Sequence, residues 1–293
     1  MRAAVLGSPI AHSLSPVLHT AGYAALGLTD WTYDRFELVA AELPGFLSGL
    51  DASWRGLSLT MPLKTVCLEV AEVVTDRARR AGVGNTLVRL PDGGWLADNT
   101  DVAGLVSALT PSWQPEWTHA AVLGAGATAR SALLALAELG VREVTVYART
   151  PAKAEPLIEW APTELTVSVR PLAAWTPDAE PAVLSTLPAG AADDLPAPNV
   201  IPAAHQPNVI PAAHQPNVIP AKAGISPRLL FDAVYANWPT PLASWAQAAN
   251  WTVVGGLDLL VHQAALQFEL FTGHQAPIEA MFAAGRAALE QPK

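Results

Sequence analysis

The sequence predicts an α/β protein of two domains, and three observations carry that expectation. Short strand-like runs alternate with Pro-started helices through the first hundred residues. From Ala120 onward, strand, glycine turn, helix and strand follow one another within about 30 residues, the opening βαβ of a nucleotide-binding domain. Apolar residues make up 51% of the 293, and charged residues only 15%. That supplies a packed core and excludes a disordered chain.

In the first half, Ala3 to Leu6 reads as a strand that turns at Gly7-Ser8-Pro9. Ser15-Pro16 then starts a helix, with Ser15 as N-cap and Pro16 in the first turn. Val17, Leu18, Ala21, Ala24 and Ala25 mark its apolar face, and Gly27 its end. Trp31 to Phe36 and Gly56 to Thr60 read as strands, and Pro62 as the start of a helix reaching about Val74. Residues 84–90 and 94–97 flank Pro91-Asp92-Gly93, a hairpin signal.

The second domain opens near residue 102. Ala120 to Leu123 is a short apolar run suited to a buried strand. A glycine turn leads into a helix over Ser131 to Leu139 capped by Gly140, and Val144 to Tyr147 forms the next strand. Leu229 to Tyr235 reads as a later strand, Leu257 to Phe271 as a helix ended by Gly273, and Ile278 to Leu289 as a last helix. The closing helices are expected to cover the first half, which is short of helices. The expected division is 1–102 plus 243–293 for the substrate domain and 103–242 for a Rossmann-type domain, with the catalytic cleft between them. Residues 198–222 repeat Pro-Asn-Val-Ile-Pro-Ala-Ala-His-Gln, two full copies and a partial third. Two prolines in each nine residues suit neither helix nor central strand, so the repeat reads as an expanded surface loop. His205 and His214 recur in it with no nearby Cys or acid, and no metal site is read there.

Composition narrows the partners. A net charge of −9 repels phosphate backbones, so nucleic acid is not an expected partner. The start is broken too soon by Ser8-Pro9 for a signal peptide, and no uninterrupted apolar run of about 20 residues predicts a membrane span. The one cysteine, Cys67, fits a reducing cytoplasm. Four lysines stand against thirteen arginines, which singles out each Lys slightly.

The glycine turn is Gly124-x-Gly126-x-x-Ala129. The first glycine permits the turn, the second lets a pyrophosphate approach the backbone, and the small third residue lets helix and strand pack closely. The helix N-terminus adds free N–H groups for the phosphates. The end of the next strand carries Arg149, Thr150 and Lys153 and no acid. Two cations and a hydroxyl suit the 2′-phosphate of NADP, where an acid would favour NAD.

Several motifs together resemble the shikimate dehydrogenase family. They are Ser8 to Pro16, Leu59-Thr60-Met61-Pro62-Leu63-Lys64, Ala81 to Thr86, Asp98-Asn99-Thr100-Asp101, Gly124 to Arg130, Arg149-Thr150, Asp232 to Tyr235 and Gly256 to Gln263. The likeness runs through nearly the whole chain in order. It implies NADP-dependent reduction of 3-dehydroshikimate to shikimate, with Lys64 and Asp101 as the catalytic pair. It implies Ser13 and Ser15 as a carboxylate site and Thr60, Asn85, Gln263 and Tyr235 as further substrate contacts. Ala127, Thr186 and Gly256 join the cofactor contacts on the same ground. Reduction of a ring ketone needs a proton donor within hydrogen-bond reach of the oxygen. Lys64, expected in a first helical turn, meets that need, and the helix dipole there disfavours an ammonium while a carboxylate at Asp101 favours it. Ser58, Thr20 and Ala148 depart from residues common in the family, and Ser185 to Pro188 match its segment near the nicotinamide imperfectly. A paralogue acting on quinate, and a non-catalytic NADP- or metabolite-binding protein of the same fold, are the competing readings. Homodimer formation stays open.

Overall fold

The computed structural model describes residues 1–177, 179–193, 195 and 228–290. The repeat at 198–222 lies outside the described residues. Two compact units emerge: one holds 1–108, 126–135 and the chain from Leu257 onward, the other 109–125 and 136–256.

The first unit opens with β1 (Arg2–Gly7), α1 (Ser15–Ala25), β2 (Thr32–Glu37), α2 (Leu43–Ser48) and β3 (Trp54–Leu59). It continues through β4 (Val73–Val74), α3 (Asp76–Ala81), β5 (Thr86–Arg89), β6 (Trp95–Asp98) and α4 (Thr100–Leu109). The sheet order is β2-β1-β3-β5-β6-β4. β1 runs parallel to β2 and β3, whereas β5 is antiparallel to both β3 and β6. The hairpin signal is realised, with Gly93 taking the left-handed turn at φ +94. Along β1 the side chains alternate, and both faces are buried. Ala4 and Leu6 pack with Leu57, Leu63 and Leu87 on one face, Ala3 and Val5 with Tyr33, Phe268 and Phe271 on the other.

The second unit runs β7 (His119–Leu123), α5 (Ala127–Glu138), β8 (Glu143–Ala148), α6 (Pro151–Ala154), α7 (Pro156–Trp160), β9 (Thr166–Pro171) and β10 (Ala182–Ser185). It closes with β11 (Leu229–Asp232), α8 (Pro241–Ala248) and β12 (Thr252–Gly255). The start of α5 groups with the first unit. All strand pairs are parallel and the order is β12-β11-β10-β7-β8-β9. Counted from β7, that is the doubly wound order 3-2-1-4-5-6, whose direction reverses between β7 and β10. Two helices complete the first unit, α9 (Gly256–Thr272) and α10 (Ile278–Glu290). α10 packs on α1, where Met281 and Phe282 meet Leu18. α9 lies on the first sheet: a Cβ on Gly56 would run into the Phe271 ring.

Several sequence expectations change. No helix starts at Pro62; residues 61–65 form turns, followed by a single 3₁₀ turn at Val66–Leu68. The Lys64 carbonyl, which would carry a helix onward, accepts instead from Gly84 N–H at 2.8 Å. Ser15 is the first helical residue rather than the cap; Leu14 holds that place without a side-chain bond, and the Ser15 N–H donates to Ser13 Oγ at 3.3 Å. α5 starts at Ala127, one turn before Ser131. β11 stops at Asp232, because its carboxylate accepts the Val234 N–H at 3.2 Å and turns the chain. The last crossing between units falls at 256 rather than 242, since β12 pairs with β11.

Candidate active site

The first sheet brings its motifs to one end. β1 and β3 are parallel, so the loops after Gly7 and after Leu59 leave on the same side, joined by Ser8 N–H donating to Met61 O at 2.9 Å. β5 and β6 run as an antiparallel pair, so the residue before β5 and those after β6 lie at that end too. Leu59 N–H donates to Asn85 O at 2.7 Å, and Asn85 N–H to Asp98 O at 3.1 Å.

Asp101 is the second residue of α4. Asn99 caps this helix through Val102 N–H at 3.1 Å, and the Thr100 N–H donates to Asn85 Oδ1 at 2.8 Å. The free N–H end of the helix favours a carboxylate here. Lys64 Nζ lies 2.6 Å from Asp101 Oδ2, with side-chain exposures of 15% and 6%. The other carboxylate oxygen accepts from Asn85 Nδ2 at 2.9 Å. Turn geometry and this ion pair, rather than a helix dipole, therefore set the surroundings of Lys64. A partly buried pair with its other oxygen hydrogen-bonded escapes much of the desolvation penalty of an unsupported one.

Gln263 comes in on α9, which approaches α4 closely because a Cβ on Gly104 would lie 2.9 Å from the Gln263 backbone nitrogen. Its Oε1 is 3.3 Å from Asn85 Nδ2, and its Nε2 donates to Leu260 O in its own helix at 2.8 Å. Thr60 is half-buried, its methyl packed against Gly7. Ser15 is buried and Ser13 half-buried at the start of α1. The structure thus gathers Lys64, Asp101, Asn85 and Gln263 into one bonded cluster and places Thr60, Ser13 and Ser15 on segments at the same end of the sheet.

Sequence reasoning missed the polar layer beneath this cluster. Tyr33, Ser58, Thr86 and Gln267 are buried and bonded to one another or to Asn85. Gln267 falls four residues after Gln263, a helical spacing that puts both on one face, and this was the available signal. His19 is also buried here, stacked on Tyr33 with ring centroids 4.1 Å apart. Burial pulls its imidazolium down to about 3, partly offset by Gln267. The folded His19 is neutral where an unfolded one takes a proton. Stability is therefore expected to fall as pH drops below about 6.5 toward 3. Chemical unfolding across that range should show a shallower fall in a His19→Phe variant, which keeps the stack without the proton site.

In the second unit the glycine turn follows β7. Gly124 takes φ +105, and a Cβ there would lie 2.6 Å from Thr186 Oγ1. Thr186 itself donates to Leu123 O at 2.9 Å. Gly124 and Thr186 therefore stand together past the carboxyl ends of β7 and β10, where the winding reverses and doubly wound sheets hold their ligands. No atom lies within 4 Å of a Cβ built on Gly126, so a ligand can approach that backbone. Ala129 is fully buried. Arg149, Thr150 and Lys153 are exposed just beyond β8, with no carboxylate at that strand end. Gly256 is close-packed at the start of α9, where a Cβ would strike the Ala233 carbonyl. Tyr235 is half-buried in the loop after β11, and desolvation raises its phenol above the usual range. These features fit a dinucleotide carrying a 2′-phosphate. Among the described residues, no cluster of His, Cys, Asp or Glu could hold a metal ion.

A doubly wound unit with an open glycine turn, together with an α/β unit bearing a partly buried amine–carboxylate pair, defines a two-unit dinucleotide-binding protein. Family comparison makes the assignment specific. Residues 5–87 match the shikimate dehydrogenase substrate binding domain, and 256–284 the shikimate 5'-dehydrogenase C-terminal domain. The chain is 37% identical over 282 residues to a shikimate dehydrogenase (NADP(+)) of Methylobacterium radiotolerans, covering 93% of this chain and 91% of that one. The crystal structure of Mycobacterium tuberculosis shikimate dehydrogenase superposes with a TM-score of 0.79 at 43% identity, covering 98% of this chain and 99% of the other. The pentafunctional AROM polypeptide of Saccharomyces cerevisiae is 35% identical over 288 residues; the match covers 95% of this chain but only 17% of that longer protein. The chain belongs to the shikimate dehydrogenase family.

Proposed function

We propose that the protein catalyses the reversible NADP-dependent reduction of 3-dehydroshikimate to shikimate. The observation that carries this reading is the Lys64–Asp101 ion pair at 2.6 Å, set among side chains able to bind vicinal hydroxyls. The named relative, a shikimate dehydrogenase (NADP(+)), supports substrate and cofactor alike.

Bound NADPH supplies the hydride that adds to the ring carbonyl carbon. The Lys64 ammonium gives one proton to the carbonyl oxygen as it becomes a hydroxyl, and takes it back in the oxidative direction. Asp101 holds that ammonium in place and is itself held by Asn85. Asn85 and Gln263 are assigned to neighbouring ring hydroxyls by the family resemblance, Gln263 through the Nε2 proton not given to Leu260, with Thr60 and Tyr235 as further contacts. Ser13 and Ser15 add hydroxyls at the α1 start for the carboxylate. The turn from Gly124 through Gly126, Ala127 and Ala129 receives the pyrophosphate, with Thr186 and Gly256 lining the cofactor. Arg149, Thr150 and Lys153 receive the 2′-phosphate. The protein works in the cytoplasm in this reading. Its one cysteine is buried, with a thiol pushed up to about 12, which suits a reducing compartment. No helix among the described residues is long and apolar enough to cross a membrane.

The test is absorbance at 340 nm with shikimate or quinate and NADP⁺ or NAD⁺. Turnover with shikimate and NADP⁺ above the other three combinations is the expected result; ligand binding without turnover would overturn it. Removing both cations, Arg149→Ala with Lys153→Ala, should raise KM for NADP⁺ about tenfold or more while leaving that for NAD⁺ little changed. Parallel loss for both cofactors would place these residues away from the 2′-phosphate.

A further inference from the structure

Gln267 is buried on α9, one turn beyond Gln263, and no role assigned above uses it. Its amide can be oriented without reference to hydrogen positions. The Asn85 backbone carbonyl only accepts, so the atom facing it at 3.0 Å is Nε2. The second N–H of that nitrogen reaches Thr86 Oγ1 at 2.9 Å. Oε1 is then an acceptor, and Ser58 Oγ donates to it at 2.6 Å. With its one proton committed, Ser58 Oγ accepts from the Tyr33 hydroxyl at 2.5 Å. Burial keeps that phenol protonated by raising it well above its ordinary range.

On the other side, Thr86 Oγ1 receives from Gln267 and gives its own proton to Asn85 Oδ1 at 2.9 Å. The Thr100 backbone N–H, which only donates, points at the same oxygen. Asn85 is thereby turned so that Nδ2 faces Asp101. A flipped amide would set Oδ1 against the carboxylate, acceptor against acceptor. Every bond from Tyr33 through Ser58, Gln267, Thr86 and Asn85 to Asp101 runs in one direction, an arrangement in which each bond strengthens the next.

We infer that Gln267, oriented by Ser58, is a positioning residue that fixes the Asn85 amide and, through it, the carboxylate gripping Lys64. This rests on the reading of Lys64 and Asp101 as the reacting pair. Gln267 touches neither of them and acts through Asn85, so its effect must disappear when Asn85 has no amide to orient.

The experiment is a double-mutant cycle in steady-state turnover of shikimate and NADP⁺, with thermal unfolding of each variant. Gln267→Leu should lower kcat about tenfold in the wild-type background and less than about twofold in an Asn85→Ala background, the non-additivity of residues acting in one network. Equal factors in both backgrounds, or no loss in the wild type, would overturn the inference while leaving the reading of the pair intact. If Asn85→Ala and Asp101→Asn both retain full turnover, that reading falls and this inference with it. Should Gln267→Leu not fold, Ser58→Ala removes the donor to Gln267 Oε1 and loosens the amide at the cost of one hydroxyl. It must then show the same background dependence, with loss in the wild type only.

Discussion

Replacing Lys64 by Met is expected to lower kcat by about 10²–10⁴-fold, the usual contribution of a positioned proton donor. Met preserves the packed stem of the side chain and removes the ammonium, its charge together with its proton. KM for shikimate should change far less than kcat, because the ring contacts assigned to Asn85, Gln263 and Thr60 survive. Lys64→Arg separates proton transfer from charge. A guanidinium can pair with Asp101, whose carboxylate now meets Nζ at 2.6 Å, yet it does not release a proton at working pH. Steady-state kinetics in both directions should find Arg nearly as poor as Met. If Lys64→Arg turned over at the wild-type rate, the amine would be an electrostatic contact and the proton would come from elsewhere.

Lys64 and Asp101 were singled out in the sequence by motifs that resemble the family's, and the structure brings the two side chains together. Lys64 follows Leu59-Thr60-Met61-Pro62, and Asp101 sits where residues after β6 begin a helix, so each is marked by its own segment. The glycine turn, the Pro91-Asp92-Gly93 hairpin and the closing helices were readable for the same reason: each has a signature within a dozen residues. The failures share the opposite cause. A helix at Pro62 was expected because proline suits a first turn, but the Lys64 carbonyl was claimed by Gly84, 20 positions on and unseen by any local pattern. The strand through Tyr235 ended early because the Asp232 carboxylate competed for the backbone, a choice that an apolar run does not reveal. Ser58 was legible only as a departure from a motif. Its partner Gln267 lies 209 residues away, and only the packing of α9 on the sheet makes them neighbours. Local motifs single out candidate groups; long-range hydrogen bonds, which fix their orientation, come into view with the fold.

Asp101→Asn tests that orientation from the carboxylate side. The native oxygens accept from Lys64 at 2.6 Å and from Asn85 at 2.9 Å, so both neighbours present donors. An amide offers one acceptor and one donor, and whichever way it turns, its NH₂ meets another N–H donor. The substitution should therefore lower kcat by about 10²-fold, through misplacement of the ammonium rather than loss of the proton. It should also cost about 1–2 kcal/mol of unfolding free energy, below the 3–5 of a fully buried broken pair because Lys64 retains some contact with water. Combining Lys64→Met with Asp101→Asn distinguishes the roles. The double variant carries no unpaired charge, so part of that stability should return in denaturant unfolding, whereas turnover should fall no further than for Lys64→Met alone. Multiplicative losses of turnover would mean that Asp101 acts on the substrate independently of the amine.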